Sequence, residues 1–527
     1  MASVRPVSVP ERRYAYFVTS PEMRWIWKAL GHELLDRHGL TPLLLVRTPE
    51  DRSYYERQFG EPVRGEIVVE PDIYGSVLEE PVTDAEFEEA RDKASRFERQ
   101  NGITLLKDMI LADRQLSRPY LLGVKEMAQS RVSRKATHER AIRACVKSIE
   151  FFDDLLEAYP PALVVSVSGG AGLKGKPVSL YCKAHGIPFR NLTHSRFGHR
   201  YYWADDEFGN DAALLRQVER FPGPGAEAVG VAAETMTPTG DAQHYMKRVR
   251  DQLRMDRTLY KAARYFAAHL YHRLRGYSKA KTSYFVADVI REIFQVRSQW
   301  KYLATPDRPR LSELPKRKLV FFPLQVEPEA SLSSLAPPHS DQLMLIRNIS
   351  MNLPSDALLI VKEHPVQLRA RGRAFYDSVS ALPNTVLINI QEQSHDIIRA
   401  SDLVVTVTGS AGHEAAVLGK KVVYLCPHGV IHALPHVWRF EAPDDFCQIP
   451  SLLAMDSDEQ REKRRVDGAR YFYALRENCL DLEKMDQFDR NKVPTPEEMA
   501  YIADSLVATL NDDWGTGAQR TRLRAGE

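Results

Sequence analysis

The sequence predicts an α/β protein of two Rossmann-like domains facing a cleft, with a helical linker between them and a helical C-terminal tail. Three observations carry this. Short β-branched runs alternate with helical periodicity over residues 13–230, the pattern of a parallel sheet with crossover helices. The same alternation returns from Lys318 onward, and the stretch between the two blocks has no strand signal. The division that follows is 1–230, 231–315, 316–480 and 481–527.

Taken in order, Tyr14 to Val18 reads as a strand. Pro21 to Arg37 reads as a helix, with Trp25, Ile26, Leu30 and Leu34 at helical spacing, and Gly39 ends it, since glycine adopts the left-handed conformation that closes a helix. Pro42 to Val46 is the next strand. Helices follow over Asp84 to Gln100 and Pro119 to Ala158. Leu163 to Val167 is a buried strand running into a Gly-rich turn, Ser168 to Gly172, then a helix (Lys176 to His185) and a strand (Pro188 to Leu192).

In the second block the strands are LVFFPLQ after Lys318, Leu358 to Val361, Thr385 to Ile390, Val404 to Val407 and Val422 to Leu425. Helices are expected at Ser340 to Leu353, Leu368 to Leu382, Ser394 to Ala400 and Glu414 to Leu418. The tail is helical over Ser457 to Leu475 and Pro496 to Leu510.

At 527 residues the chain can bury two substantial cores without disulfides or metals. The formal net charge of +2 argues against a nucleic-acid binder. Five scattered cysteines fit a reducing cytoplasm and give neither a zinc site nor a disulfide framework. No run approaches the ~20 apolar residues of a membrane span, so a cytoplasmic protein is expected.

The chemistry concentrates in the second block. Leu358 to Pro365, LLIVKEHP, is a strand ending in Lys362 and His364, with Pro365 stopping it. His364 can donate to a phosphate oxygen and, if charged, offset charge developing on a leaving group. Thr408, Gly409, Ser410 and Gly412 form a small turn that launches a helix. Backbone amides and the helix dipole make such a turn an anion site, although a Gly-Ser turn is also an ordinary helix cap. Glu414 lies one helical turn past Ser410, placed to accept from a ribose hydroxyl. If the two strand ends lie side by side, they face one nucleotide crevice.

VKEHP, followed by SDLVVTVTGSAGHEAAVLGKKVVYL, resembles the capsule polysaccharide biosynthesis family. That family is similar to bacterial Kdo transferases and sialyltransferases, which carry an HP motif and a Ser/Thr motif in the nucleotide-binding half of a GT-B fold. Phe321 to Leu332, FFPLQVEPEASL, resembles the family's opening of that half. The resemblance covers about residues 318–440 and is weak over 1–230. It implies a metal-independent glycosyltransferase without a cofactor, whose nucleotide-sugar donor sits at His364 and Ser410, a CMP-Kdo-type donor being one candidate and the donor base staying open. The acceptor, a glycan or lipid-linked glycan, would bind the first domain. A UDP-sugar 2-epimerase-like enzyme and a non-catalytic sugar-nucleotide or polysaccharide binder are the alternatives. Thr408-Gly409-Ser410 replaces the paired hydroxyls of the sialyltransferases.

A base to assist the acceptor hydroxyl stays open among Asp205, Asp206 and Glu207, after an aromatic loop containing His194 and His199, and Glu327 and Glu329 beside the Phe321 strand. Lys174 and Lys176 follow the Gly-rich turn and suit an anionic acceptor. The helix from Arg254 to Tyr277 sets Arg257, Lys261, Arg264, Arg273 and Arg275, with Lys279 and Lys281 beyond, around an aromatic-rich stripe. It reads either as a peripheral contact with the anionic inner membrane or as a linker packed through Tyr260, Ala263, Ala267, Leu270, Leu274 and Tyr277.

Overall fold

In the computed structural model the residues described are 14–19, 24–79, 81–118, 120, 129–167, 172–236, 249–251, 253–276, 285–368, 370–427, 429–454, 456–482 and 494–510. Two sheets organise them. The first comprises β1 (Tyr14–Val18), β2 (Thr41–Val46), β3 (Glu66–Val69), β4 (Pro161–Ser166), β5 (Phe189–His194) and β6 (Arg200–Ala204). The second comprises β7 (Lys318–Pro323), β8 (Ala357–Lys362), β9 (Thr385–Leu387), β10 (Leu403–Thr406), β11 (Lys421–Tyr424) and β12 (Val437–Arg439). β13 (Leu480–Asp481) returns to the edge of the first sheet.

The second sheet runs β12-β11-β10-β7-β8-β9 and every pairing is parallel. The chain steps outward from β7 to β9, then restarts on the other flank of β7. This is the doubly wound Rossmann order, whose ligand crevice opens where the direction reverses, between β7 and β10. The first sheet has the same order from β3 to β5, with β6 and β13 antiparallel at its edge. The two-Rossmann architecture expected from the sequence is present.

Several expectations need correction. β10 and β8 are not adjacent, because β7 lies between them. Gly409 is the N-cap of a helix that already begins at Ser410 and runs to Val417, so Gly412 is helical and not part of the turn. The long helix expected from Pro119 to Ala158 is broken: residues Arg131–Lys135 and His138–Ala158 form separate helices. Thr137 starts the second, its hydroxyl accepting from the Arg140 amide at 3.4 Å, the usual role of a threonine cap. Pro119 and most residues of the Ser168 to Gly172 turn lie outside the described residues. The aromatic loop after His199 is strand β6, antiparallel to β5.

The two halves interlock. Leu214, Val218, Val229 and Ala232, on helices Ala212–Arg220 and Ala226–Thr235, are buried in one cluster with Val404, Ala416 and Val422 of the second sheet's domain. Phe197, from the β5–β6 turn, packs its ring on Tyr471 and Phe472 at 5.8 and 5.5 Å. The Gly429 amide donates to the Phe208 carbonyl at 2.8 Å. In return the C-terminal helix Pro496–Ala508 packs on the first domain, where the Trp203 indole donates to Ser505 at 2.9 Å and Arg37 pairs with Asp504 at 2.8 Å. No helix among the described residues is long and apolar enough to cross a membrane. None of the five cysteines is in a disulfide.

Candidate functional site

Because β7, β8 and β10 are parallel, their carboxyl ends, Pro323, Lys362 and Thr406, emerge on one edge of the second sheet. At β8, Lys362 is only 6% exposed, and its ammonium forms no hydrogen bond or ion pair with a described residue. Burial pushes its pKa down to about 8, with Glu363 and Glu392 opposing the shift. Lys362 therefore brings a largely buried cationic side chain to this sheet edge.

His364 accepts from the Val366 amide through Nδ1 at 3.2 Å, which fixes Nε2 as the protonated nitrogen. Burial, with Lys362 and Arg371 nearby, lowers its pKa to about 4. The sequence left open a charged His364; the structure makes it a neutral donor near pH 7 and assigns the positive charge to Lys362. Pro365 opens a single turn of 3-10 helix, Pro365–Gln367, which bends the chain off the strand.

The backbone of this motif is clamped from beneath. Arg371, fully buried, pairs with both Glu363 oxygens at 2.7 and 2.8 Å, and with Glu327 at 2.9 Å. Tyr376 donates to Glu363 at 2.9 Å, and Gln342 to Glu327. Arg371 also donates to the Gln325 carbonyl at 2.6 Å. Glu327 is therefore a structural anion and not an accessible base.

The third strand end holds the hydroxyl turn. The Gly409 amide donates to Thr406 Oγ1 at 3.1 Å, and Gln325 Nε2 donates to the same hydroxyl at 3.3 Å. A Cβ on Gly409 would stand 2.8 Å from Thr406 Oγ1 and 2.9 Å from Gln325 Nε2, so a larger residue would have to displace one of these side chains. As N-cap it offers no side chain to the helix amides; its carbonyl takes the Gly412 N–H at 3.1 Å, and the Ser410 and Ala411 N–H groups at the helix start are those a side-chain cap would have met. Ser410 is exposed at that helix start. Thr408 Oγ1 is buried and has no hydrogen-bond partner.

Two predicted residues are used differently. Gly412 makes room for the Tyr424 ring, whose atoms lie 2.5 Å from where its Cβ would be. Glu414 takes a hydrogen bond from His395 Nδ1, while Arg399 donates to His395 Nε2 at 2.5 Å. Burial raises the Glu414 pKa against the pull of His395. Gln325 was missed by sequence reasoning, although FFPLQ ends a strand on a polar residue, and that was the available signal.

The first domain's candidate bases are occupied locally. Asp206 accepts from the Phe208 and Asn210 amides at 2.9 and 3.0 Å, Glu207 pairs with Lys176 at 3.1 Å, and Asp205 pairs with Arg190 at 3.3 Å. His194 closes its own turn, accepting from the Arg196 amide and donating to the Gly198 carbonyl at 2.9 Å. Lys174 pairs with Glu70.

Residues 228–427 match the family model described as capsule polysaccharide biosynthesis protein. The resemblance to that family holds over this segment. It spans Lys362, His364, Gln325 and the hydroxyl turn. No curated protein matches the chain. Among solved structures, KpsC from Thermosulfurimonas dismutans, a beta Kdo 2,7 transferase, is 13% identical, over 61% of this chain and 80% of its own, at a TM-score of 0.28. UDP-GlcNAc 2-epimerase from Neisseria meningitidis, bound to UDP-GlcNAc, is 14% identical over 95% and 99%, at 0.26. S. aureus MnaA with UDP is 10% identical over 88% and 94%, at 0.27. At such TM-scores the likeness is loose.

Proposed function

We propose that the protein is a glycosyltransferase of capsular polysaccharide synthesis that takes its sugar from a nucleotide-activated donor. The observation that carries this is the convergence, inside the segment that matches the capsule family model, of the largely buried Lys362, which has no ion pair among the described residues, the unpartnered Thr408 hydroxyl and a helix start without a side-chain cap at one sheet edge. A donor phosphate would sit over the switch point, held by Ser410, Thr408 and the helix amides on one side and by Lys362 and His364 on the other.

Glycosyl transfer leaves negative charge on the departing phosphate. Donors fixed in advance stabilise that charge without reorganising as it develops. Lys362 supplies the cation, His364 Nε2–H a hydrogen bond, and the helix dipole a partial positive charge. Glu414, held by His395, keeps an oxygen for a ribose hydroxyl. This site needs neither a metal nor a cofactor in our reading. The acceptor, a glycan or lipid-linked glycan, would bind against the first domain at the cytoplasmic face of the membrane, with CMP-Kdo the first donor to try.

Thermal shift with CMP-, UDP-, GDP- and CDP-linked sugars tests the donor, since a bound ligand raises the melting temperature by mass action. Incubation with the stabilising donor then separates transfer from release of a free epimer. Stabilisation without either product would leave a binding protein, and no stabilisation by any of the four would overturn the proposal.

A further inference from the structure

The Met255–Leu274 helix is amphipathic with its faces reversed for a packed element. The side turned to the protein is small or polar: Thr258 is buried, and Ala262, Tyr265 and His269 are half-buried. The apolar stripe faces solvent, with Leu259 60%, Phe266 52%, Leu270 47% and Leu274 79% exposed, and Tyr260 and Tyr271 open beside it. The packed-linker expectation, which turned Tyr260, Leu270 and Leu274 inward, is therefore wrong for this helix. Tyr277, Lys279 and Lys281 lie outside the described residues. Ile290 and Phe294, one turn apart on the Val286–Leu303 helix packed against it, are also exposed.

Such a contiguous apolar surface marks an interaction site. Its charge identifies the partner. Residues 254–275 hold six lysines and arginines against a single acid, Asp256, whereas the whole chain nets +2. Arg254 and Arg257 are paired with Asp256 and Asp251, but Lys261, Arg264, Arg273 and Arg275 form no ion pair among the described residues. A second copy docking by two-fold symmetry would set this cationic border against itself, which like charges oppose. An anionic bilayer would instead take the apolar stripe into its interface and the cations among its headgroups.

We infer that the Met255–Leu274 helix lies in the plane of an anionic membrane, its Leu259–Leu274 stripe buried in the headgroup and acyl boundary. This deepens the membrane-face part of the proposed function and is independent of glycosyl transfer. A helix so placed would hold the enzyme where a lipid-linked acceptor is presented.

The test is flotation of the full chain with phosphatidylcholine vesicles, with and without phosphatidylglycerol. Wild type should float with the anionic vesicles at low salt and progressively less as salt rises. Neutralising Arg264, Arg273 and Arg275 to Gln should weaken binding on the order of 100-fold, at about fivefold per cation. Leu259→Ser with Phe266→Ser and Leu270→Ser should abolish flotation; all three are exposed, so circular dichroism should not change. Wild type remaining at the bottom in low salt, or the serine variant floating like wild type, overturns the inference. So does a wild-type dimer, seen by light scattering, that the serine variant dissociates without any vesicle binding. Thermal shift with donor and no vesicles reads the sugar-nucleotide site separately, so either proposal can fail alone.

Discussion

Gln325 and Thr406, 81 residues apart in sequence, meet through a 3.3 Å hydrogen bond between the Gln325 amide and the Thr406 hydroxyl. That contact closes the switch point of the second sheet. The Gln325 carbonyl meanwhile accepts from Arg371, which holds Glu363 in the middle of the KEHP motif. One residue at the end of β7 thus couples the two motifs that flank it, and their separation is set by packed, hydrogen-bonded groups instead of a free loop.

His364→Ala and Ser410→Ala should each lower turnover by on the order of 10²–10³, the usual loss for one preorganised donor to a developing charge. Ser410 is exposed, so its variant's melting temperature should barely move, whereas His364→Ala also loses the Val366 cap and should cost about 1 kcal/mol of stability. Wild-type turnover in either variant removes that residue from the site.

Lys362 should write two opposite pH trends. Its pKa in the folded chain, about 8, lies below the ordinary lysine value. Between the two the unfolded chain binds more protons, so stability rises with pH across that window. Donor phosphate prefers the charged form, so kcat/KM should fall as pH climbs through about 8. Lys362→Met should flatten both trends and weaken the donor. A wild-type profile with no fall near 8 would remove Lys362 from donor binding.

His364, neutral down to about 4, predicts no activity limb near the ordinary histidine value. In stability the sign is the same as for Lys362: the unfolded chain carries more protons between about 4 and the ordinary value, so stability falls as pH drops through that range. A pH series of thermal melts on wild type and His364→Gln checks this, the variant showing a shallower acid decline.

Arg371→Met leaves Glu363 and Glu327 buried without their cation, and breaking a buried pair from one side costs about 3–5 kcal/mol. Adding Glu363→Gln and Glu327→Gln should recover part of the loss in chemical denaturation. If Arg371→Met alone is neutral, the clamp does not hold this edge.

Gly412→Ala would push a methyl group into the Tyr424 ring, and overpacking of this kind costs about 1–3 kcal/mol. The damage should show as lost stability, with donor affinity following only through the helix it shifts. Combining it with Tyr424→Leu should restore part of the melting temperature, since the smaller side chain vacates the space.

The sequence by itself determined the two alternating α/β blocks, most strand positions and the motif residues, because β-branched runs, helical spacing and turn glycines are local signals. Lys362, His364, Thr408, Gly409 and Ser410 all come to one sheet edge, as the strand ends implied. Which groups are charged, free or locked was decided only by tertiary structure. Burial makes His364 neutral, Arg371 turns Glu327 and Glu363 into structural anions, and Tyr424 claims the space above Gly412. Strand order is likewise nonlocal: nothing in KEHP or TGS tells that β7 lies between them. The exposed stripe on the Met255–Leu274 helix has the spacing of a core face, and periodicity fixes which residues share a side without fixing whether protein or solvent lies against it.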